Sequence, residues 1–526
     1  MHDVAQEQLD KEHPRPQATW NSTLAIHILP NELIIDIFVL YCRAHTFAGG
    51  ARDEVFHAPW CRLMSVCRRW REVVCATPQF WRCIDVRRRH EWVDLCLLRS
   101  IGCTVDVIVG NAALLPDHIG RIRPHSPRIR SLYFKSAKVP SELTAISHEI
   151  AVPMPELENL VLPRIRSDGT ESPSEIAIQV EISSERFPRL RTLGLSWTTI
   201  PEDITIYSQL RTLTLYACTP RVATHKLLEI LSYCSQLEEL TLAEVFVFEG
   251  FPSHEPISCG ARPPISISRV KRFTLEDDVT FAYAHFLTHI RLPPSACVTM
   301  KNIVGHLQHT LLHAFPSLAS SRLSALPMLA NMKFGTVTVN DYRYQLDANA
   351  DQSQYVHLSR DTPALEFFSW GRRLPEAMHD FAVLFSSSEL TALEVNGGHD
   401  LFATNAWAEL FSTFPTLETL TIRGFGHTGT MWEALHAASM DGGDDVACPL
   451  LKSIVVDGEL GNPDLFFESL MCCLGHRAER GSHLERLQLT VIVRKINESR
   501  DDYGGIKAKY GPRLKELVGT LLLGGV

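Results

Sequence analysis

The chain has 526 residues, of which 45% are apolar and 21% charged, and its formal net charge is −9. This length exceeds one ordinary compact core and calls for several domains or an elongated repeat. The composition excludes a disordered chain, and the acidic balance gives no global reason to bind nucleic acid or an anionic membrane surface.

The first 24 residues are polar and hold Pro14 and Pro16, a composition that reads as a loose tail. With His2, Asp3, Gln6, Glu7 and Asp10 they lack the apolar core of an export signal, and no later stretch approaches the roughly 20 apolar residues of a bilayer-spanning helix. A soluble, intracellular protein, cytoplasmic or nuclear, is therefore expected. Order is predicted from Ile26 to Leu29, with Pro30 at a helix start and Glu32 complementing its positive end. Leu33, Ile34, Ile37, Phe38 and Tyr41 then form one apolar stripe of a helix. Leu63, Val66, Cys67, Trp70 and Val74 form a second, closed by Thr77-Pro78. Spacing alone leaves these as two amphipathic helices of a larger domain.

Their residues carry more than spacing. The blocks Leu29-Pro30-Asn31-Glu32-Leu33, Val66-Cys67-Arg68-Arg69-Trp70-Arg71 and Thr77-Pro78-Gln79-Phe80-Trp81 occur in that order. Together, residues 26–82 resemble an F-box, and the Thr-Pro before the final aromatic pair is similar to F-box proteins of mushroom-forming fungi. A long connection between the helices, with Gly49-Gly50, departs from the shortest F-boxes. The resemblance implies helix-in-groove docking on a Skp-family adaptor attached to a cullin scaffold. It implies Leu29, Pro30, Leu33, Ile34, Leu63, Val66 and Cys67 as contacts, with Ile37, Phe38, Trp70 and Trp81 bracing the motif's own core. Arg68, Arg69 and Arg71 read either as a wet face or as steering charges toward an acidic adaptor.

Residues 83–124, with a β-prone stretch from Thr104 to Val109, are expected to link the F-box to a downstream array or to cap that array. From about residue 125 a phrase of the form Leu-x-x-Leu-x-Leu recurs, beginning at Ile129, Leu157, Leu190, Leu210, Leu237 and Val270, then at Leu365, Leu390, Leu417, Leu451 and Leu484. These starts straddle the leucine-rich-repeat period of about 20 to 29 residues. Helix-like segments such as Leu227, Leu228, Ile230, Leu231 and Trp407, Leu410, Phe411 lie between phrases. A strand-plus-helix unit cannot bury its own apolar face, and stacked neighbours make a continuous core. The fold class predicted is α/β: an N-terminal helical F-box followed by an irregular leucine-rich-repeat-like solenoid with a parallel sheet over 125–495, and a cap or tail over 496–526. An ordinary α/β domain with leucine-rich strands is the alternative. The pattern is weakest over 278–328, where Ala284 to Leu292 and Cys297 to Met300 suggest a helix-turn-strand unit. Asp347 to Gln354 and Asp441 to Asp445 read as protruding polar loops.

The chain shows no phosphate-loop, zinc-helix or nucleophile-elbow motif. Gly424-Phe425-Gly426-His427-Thr428-Gly429 formally matches a dinucleotide loop, but its preceding strand is one copy of the repeat phrase and no acidic ribose ligand stands at the right distance beyond it, so it reads as a repeat-connecting loop. Fourteen cysteines read as reduced thiols; Cys472 and Cys473 with His476 and His483 lack paired metal-ligand spacing. No catalytic residue, cofactor or metal is expected. The function implied is a non-catalytic adaptor that recruits an unidentified client protein to a ubiquitin ligase through the array, with neither nucleic acid nor membrane as partner. The alternative is a repeat scaffold for protein–protein interaction that engages no ligase.

Overall fold

The computed structural model describes residues 24–46, 60–86, 89–137, 146–147, 150–165, 180–218, 222–246, 263–276, 280–301, 311–340, 343–351, 353–361, 374–399, 404–426, 429–441, 446–460, 463–493 and 503–524. It divides into two compact units, residues 1–206 and 207–526.

The first unit opens with α1 (Ala25–Ile28), α2 (Asn31–Thr46), α3 (Trp60–Met64) and α4 (Arg68–Ala76), followed by a tight turn over Pro78–Trp81. A parallel sheet comes next. Its strands β1 (Cys83–Asp85), β2 (Val105–Val109), β3 (Ile129–Phe134), β4 (Asn159–Val161) and β5 (Thr192–Ser196) pair in chain order. The helices α5 (His90–Arg99) and α6 (Leu115–Ile122) connect the first three. Residues 83–124, expected to join or cap the array, thus contribute two paired strands of their own. Asp106 on β2 accepts from Arg82 at 3.2 Å and from Arg130 at 2.7 Å, tying β1, β2 and β3 together at one rim.

The second unit contains β6 (Thr212–Tyr216), β7 (Glu239–Ala243), β8 (Arg272–Glu276) and β9 (Cys297–Lys301), parallel and in chain order. Then come β10 (Phe334–Asn340), β11 (Arg343–Asn349) and β12 (Tyr355–Asp361). After them β13 (Ala392–His399), β14 (Thr419–Gly426), β15 (Ser453–Leu460), β16 (Leu484–Val493) and β17 (Val518–Gly524) are again parallel and sequential. Between the phrases lie α7 (Thr224–Tyr233), α8 (Thr280–Thr288), α9 (Ala319–Ala325), α10 (Leu374–Phe385), α11 (Thr404–Thr413), α12 (Gly429–Asp441), α13 (Pro463–Glu479) and α14 (Tyr503–Leu517). Successive helices from α10 to α14 pack against one another, so they form a layer in the same order as their strands.

The leucine phrase explains this order locally. The N–H of its first apolar residue closes a turn on the carbonyl three residues back: Leu190 on Phe187, Leu210 on Tyr207, Leu237 on Cys234, Leu417 on Phe414, Leu451 on Cys448. The chain then enters a strand whose alternate residues point inward. Those residues meet their equivalents on the next strand: Leu213 with Leu240 with Phe273, and Leu393 with Leu420 with Ile454 with Leu487. All of them are buried.

The sheet departs from the expected parallel pattern at one place. β10, β11 and β12 form an antiparallel meander whose outer members pair in parallel with β13 and β9. Two residues separate Asn340 from Arg343, and a parallel crossover needs a dozen or more. Asp347 to Asn349, read as part of a protruding loop, therefore belong to β11, where Asp347 meets the ring Nδ1 of His357 at 2.6 Å. Leu365, one weak phrase start, and most of the Asp441 to Asp445 segment lie outside the described residues. The 278–328 region does hold a helix and a strand, α8 and β9.

The glycines of the dinucleotide-like segment do not form a loop throughout. Gly424 and Gly426 end β14 and Gly429 opens α12. Gly397, Gly424 and Gly458 stand in register on three adjacent strands. Gly424 has φ +142°, and a Cβ there would sit 1.8 Å from the Gly397 carbonyl oxygen, so these residues serve close approach of backbones. Gly424→Ala is expected to cost more than the ~3 kcal/mol of ordinary substitutions. Gly475→Ala, in open space within α13, should be neutral or stabilising. Urea denaturation of both variants measures the difference.

Asp380 on α10 is fully buried; one carboxylate oxygen accepts from the Tyr344 hydroxyl at 2.8 Å and from the Leu311 N–H at 2.9 Å, and the other has no partner among the described residues. Burial raises its pKa to about 6. The folded chain therefore holds this proton where the unfolded chain, with the ordinary value of 3.8, releases it. The group's contribution to stability thus falls as pH rises from about 4 to about 6, then levels off. Asp380→Asn keeps an acceptor for both donors. It should remove up to about 3 kcal/mol of pH dependence, read as the slope of unfolding free energy against pH.

Candidate docking surface of the N-terminal helices

The N-terminal helices are built around two aromatic clusters. Phe38 of α2 packs on Trp70 of α4 at 4.6 Å between ring centroids and on Phe80 of the following turn at 6.3 Å. Trp60, Trp81 and Trp92 form the second, with centroid separations of 4.4 to 5.9 Å, and Arg99 lies over the Trp81 ring at 4.6 Å. This cluster seats the short helix α3 and the turn on α5. The Trp81 indole N–H donates to the Val74 carbonyl at 2.9 Å, and the Thr77 hydroxyl donates to that of Val73 at 2.7 Å, so two of the last four carbonyls of α4 have side-chain partners. At its start, the Cys67 sulfur accepts from the Trp70 N–H at 3.5 Å as an N-cap.

The apolar residues of α2 divide into two stripes. Ile34 and Phe38 face inward and are buried, with Tyr41 half-buried one turn further on. Leu33, Ile37 and Leu40, each one position earlier, face outward with 48%, 42% and 64% of their surface exposed. Consecutive helical residues differ by about 100° in direction, so one wide arc becomes an inner and an outer face. Ile28 just ahead of α2 is 77% exposed, and Val66 ahead of α4 is 56% exposed.

Three expectations for single residues change accordingly. Ile34 and Leu63, expected at the adaptor contact, are buried in the chain's own core, because they share the inner side with Phe38 and Trp60. Ile37, expected in that core, lies on the outer stripe. Leu33, Pro30 and Val66 are exposed, Leu29 and Cys67 are half-buried, and Phe38 and Trp81 are interior with Trp70 partly so. Leu24, Ile28 and Leu40 are exposed as well and are not singled out from the sequence, although Leu40 stands seven residues after Leu33 on the same face.

The three arginines also separate. The Arg69 guanidinium donates to the carbonyls of His27 and Leu29, the latter at 2.7 Å, and to the Asn31 side-chain oxygen at 3.0 Å. Arg71 donates to the Met64 carbonyl at 3.1 Å. Both therefore hold the motif together rather than standing as an unengaged wet face. Burial and the neighbouring Cys61 push the Cys42 thiol up to about 11, which keeps it a protonated apolar filler. Among the described residues no group of three His, Cys, Asp or Glu is placed to hold a metal ion, and no helix is long and apolar enough to cross a membrane.

Arg69 fixes the segment that presents Leu29 and Pro30. Arg69→Met keeps the stem and removes the donors. It is expected to cost about 1.5–3 kcal/mol, the range for hydrogen bonds to a charged group, and to speed proteolysis near residues 24–31. Limited proteolysis with mass-spectrometric site mapping, alongside thermal melts, reads both.

Residues 26–87 match the family described as F-box-like. The matched segment runs from the second residue of α1 through α4, the aromatic turn and β1, and ends two residues after that strand. No curated protein matches the chain.

Proposed function

We propose that the chain is a substrate-recognition adaptor of an SCF-type ubiquitin ligase. Its N-terminal helices dock on a Skp-family adaptor carried by a cullin scaffold, and the downstream sheet-and-helix array, a degenerate leucine-rich-repeat-like solenoid, holds a client protein. The F-box-like match points to a ubiquitin-ligase adaptor role in general. The observation that supports docking at this surface is the outward stripe Leu33–Ile37–Leu40 on a scaffold already sealed by its own aromatic core, with Ile28 and Val66 also exposed in the same N-terminal segment.

The stripe suits helix-in-groove recognition, which takes apolar anchors at i, i+4 and i+7. Each such side chain, once covered, contributes up to about 1.5–3 kcal/mol before association costs. The chain itself performs no chemistry in this reading: its sites are surfaces, and ubiquitin transfer belongs to other subunits. The solenoid reading draws on the in-register leucine rows and the helix layer that runs in the same order as the strands.

Tagged full-length chain is expected to capture a Skp-family adaptor when the two are co-expressed. Leu33→Glu with Ile37→Glu, both exposed, should reduce the captured adaptor roughly tenfold or more while leaving the melting temperature within a few degrees of the parent. Failure of the parent chain to capture any adaptor, or capture that is indifferent to this pair, would reject the reading in favour of a scaffold that engages no ligase.

A further inference from the structure

Among the described strands β17 is less covered than its neighbour β16. Leu487 and Leu489 on β16 are fully buried, yet Leu521 and Leu523, their in-register equivalents on β17, are half-buried, and Leu522 between them is 44% exposed. Among the described residues β17 pairs with β16 alone, so no described strand lies along its second edge. Exposed edges are normally blunted by a charge, a proline or a bulge; β17 reads Val-Gly-Thr-Leu-Leu-Leu-Gly and carries none of the first two.

The helix beside this edge supplies charge. On α14, Lys507, Arg513 and Lys515 are exposed, against one exposed carboxylate, Glu516; Lys509 is tied to Asp464 of α13 at 2.7 Å. A Cβ at Gly511, between Lys507 and Lys515 along the helix, would touch the Leu523 side chain at 3.6 Å and the Lys507 stem at 3.9 Å. Lys507 and Leu523 thus both border Gly511 of α14. In a chain of net charge −9 this is a local basic border on an apolar edge. It disfavours a second copy, which would bring two basic helices together, and complements an acidic partner.

We infer that β17 accepts an extended segment of a partner protein as an added strand. The segment carries alternating aliphatic residues that cover Leu521 and Leu523 and acidic flanks that meet Lys507 and Lys515. Main-chain bonds to the edge supply affinity, and the alternate side chains and flanking charges supply selection. This reading is independent of ligase docking, since it uses none of the N-terminal helices.

The test uses the full chain and a fluorescent peptide of alternating valine and threonine flanked by glutamates, titrated by anisotropy. Saturable binding is expected to weaken with salt, to fall roughly tenfold in Lys507→Glu with Lys515→Glu, and to be recovered there by a lysine-flanked peptide. Leu522→Lys should weaken every peptide, and proline at the valine positions should abolish binding. Absence of saturable binding to the parent chain, or equal binding of acidic, basic and proline-containing peptides, overturns the inference. So does a concentration-dependent dimer of the parent that Leu522→Lys converts to monomer, because the occupant would then be a second copy.

Discussion

The fixed register of apolar side chains from strand to strand is the constraint on which the described architecture rests. Each strand buries one face, and a slip of one residue would turn Leu420 and Ile422 outward. The neighbours Leu393 and Ile454 forbid this because their own register is fixed in the same way. The rim charges repeat the message more weakly. Glu238 lies 3.6 Å from Arg211 and 2.6 Å from Lys271, which immediately precede the strands to either side, and Glu418 lies 3.1 Å from Lys452. Exposed pairs of this kind contribute little to stability. They favour one register over another, while the leucines supply the burial energy.

A second device recurs where the chain turns: an arginine whose partners are backbone carbonyls. Arg128 donates to the carbonyls of Leu97, Ser100 and Cys103 at 2.8 to 3.2 Å, gathering the end of α5. Arg322 takes those of Pro316 and Ser317, Arg477 those of Ala447 and Cys448, and Arg69 those of His27 and Leu29. Burial lowers the pKa of Arg477, and a guanidinium tolerates such a site better than a lysine, whose pKa shifts readily when buried. A planar fork of donors satisfies several orphan carbonyls at once, which suits connections that vary in length and cannot rely on a common turn sequence.

The strand phrases were legible because a period of two, repeated at Leu190, Leu210, Leu237, Leu417, Leu451 and Leu484, has one physical solution when every copy needs a neighbour. The antiparallel meander was not, because Phe334–Asn340 lacks the leucine phrase and the polar residues of β11 resemble a loop until Asp347 finds His357 across the sheet. Likewise Gly424-x-Gly426 looks like a turn in sequence, and becomes a strand end once the Gly397 carbonyl occupies the space a side chain would need. In the N-terminal helices periodicity puts Leu33, Ile34, Ile37 and Phe38 on one stripe, and the resemblance divides that stripe with Ile34 outward and Ile37 inward, whereas Ile34 is buried and Ile37 exposed. Two apolar residues about 100° apart can each lie on the edge of a broad stripe, and long-range contacts with Phe80 and Trp70 decide which edge is buried.

That assignment bears on what the helix α2 is for. A helix packed against one layer needs an apolar arc a little over about 100° wide. The arc from Leu40 through Leu33, Ile37 and Ile34 to Phe38 is wider than this, and α4 with the Phe80 turn covers one side of it. Leaving the rest in water gives up burial energy of a few kcal/mol that a polar substitution at Leu33 or Ile37 would not forgo, and neither position is needed to close the core, which the aromatic clusters already seal. The excess width therefore has no account within the described fold of the first unit. A second layer laid against the outer stripe, as in the proposed docking, would supply one, and the entry segment that Arg69 already ties to His27, Leu29 and Asn31 would then need little further ordering.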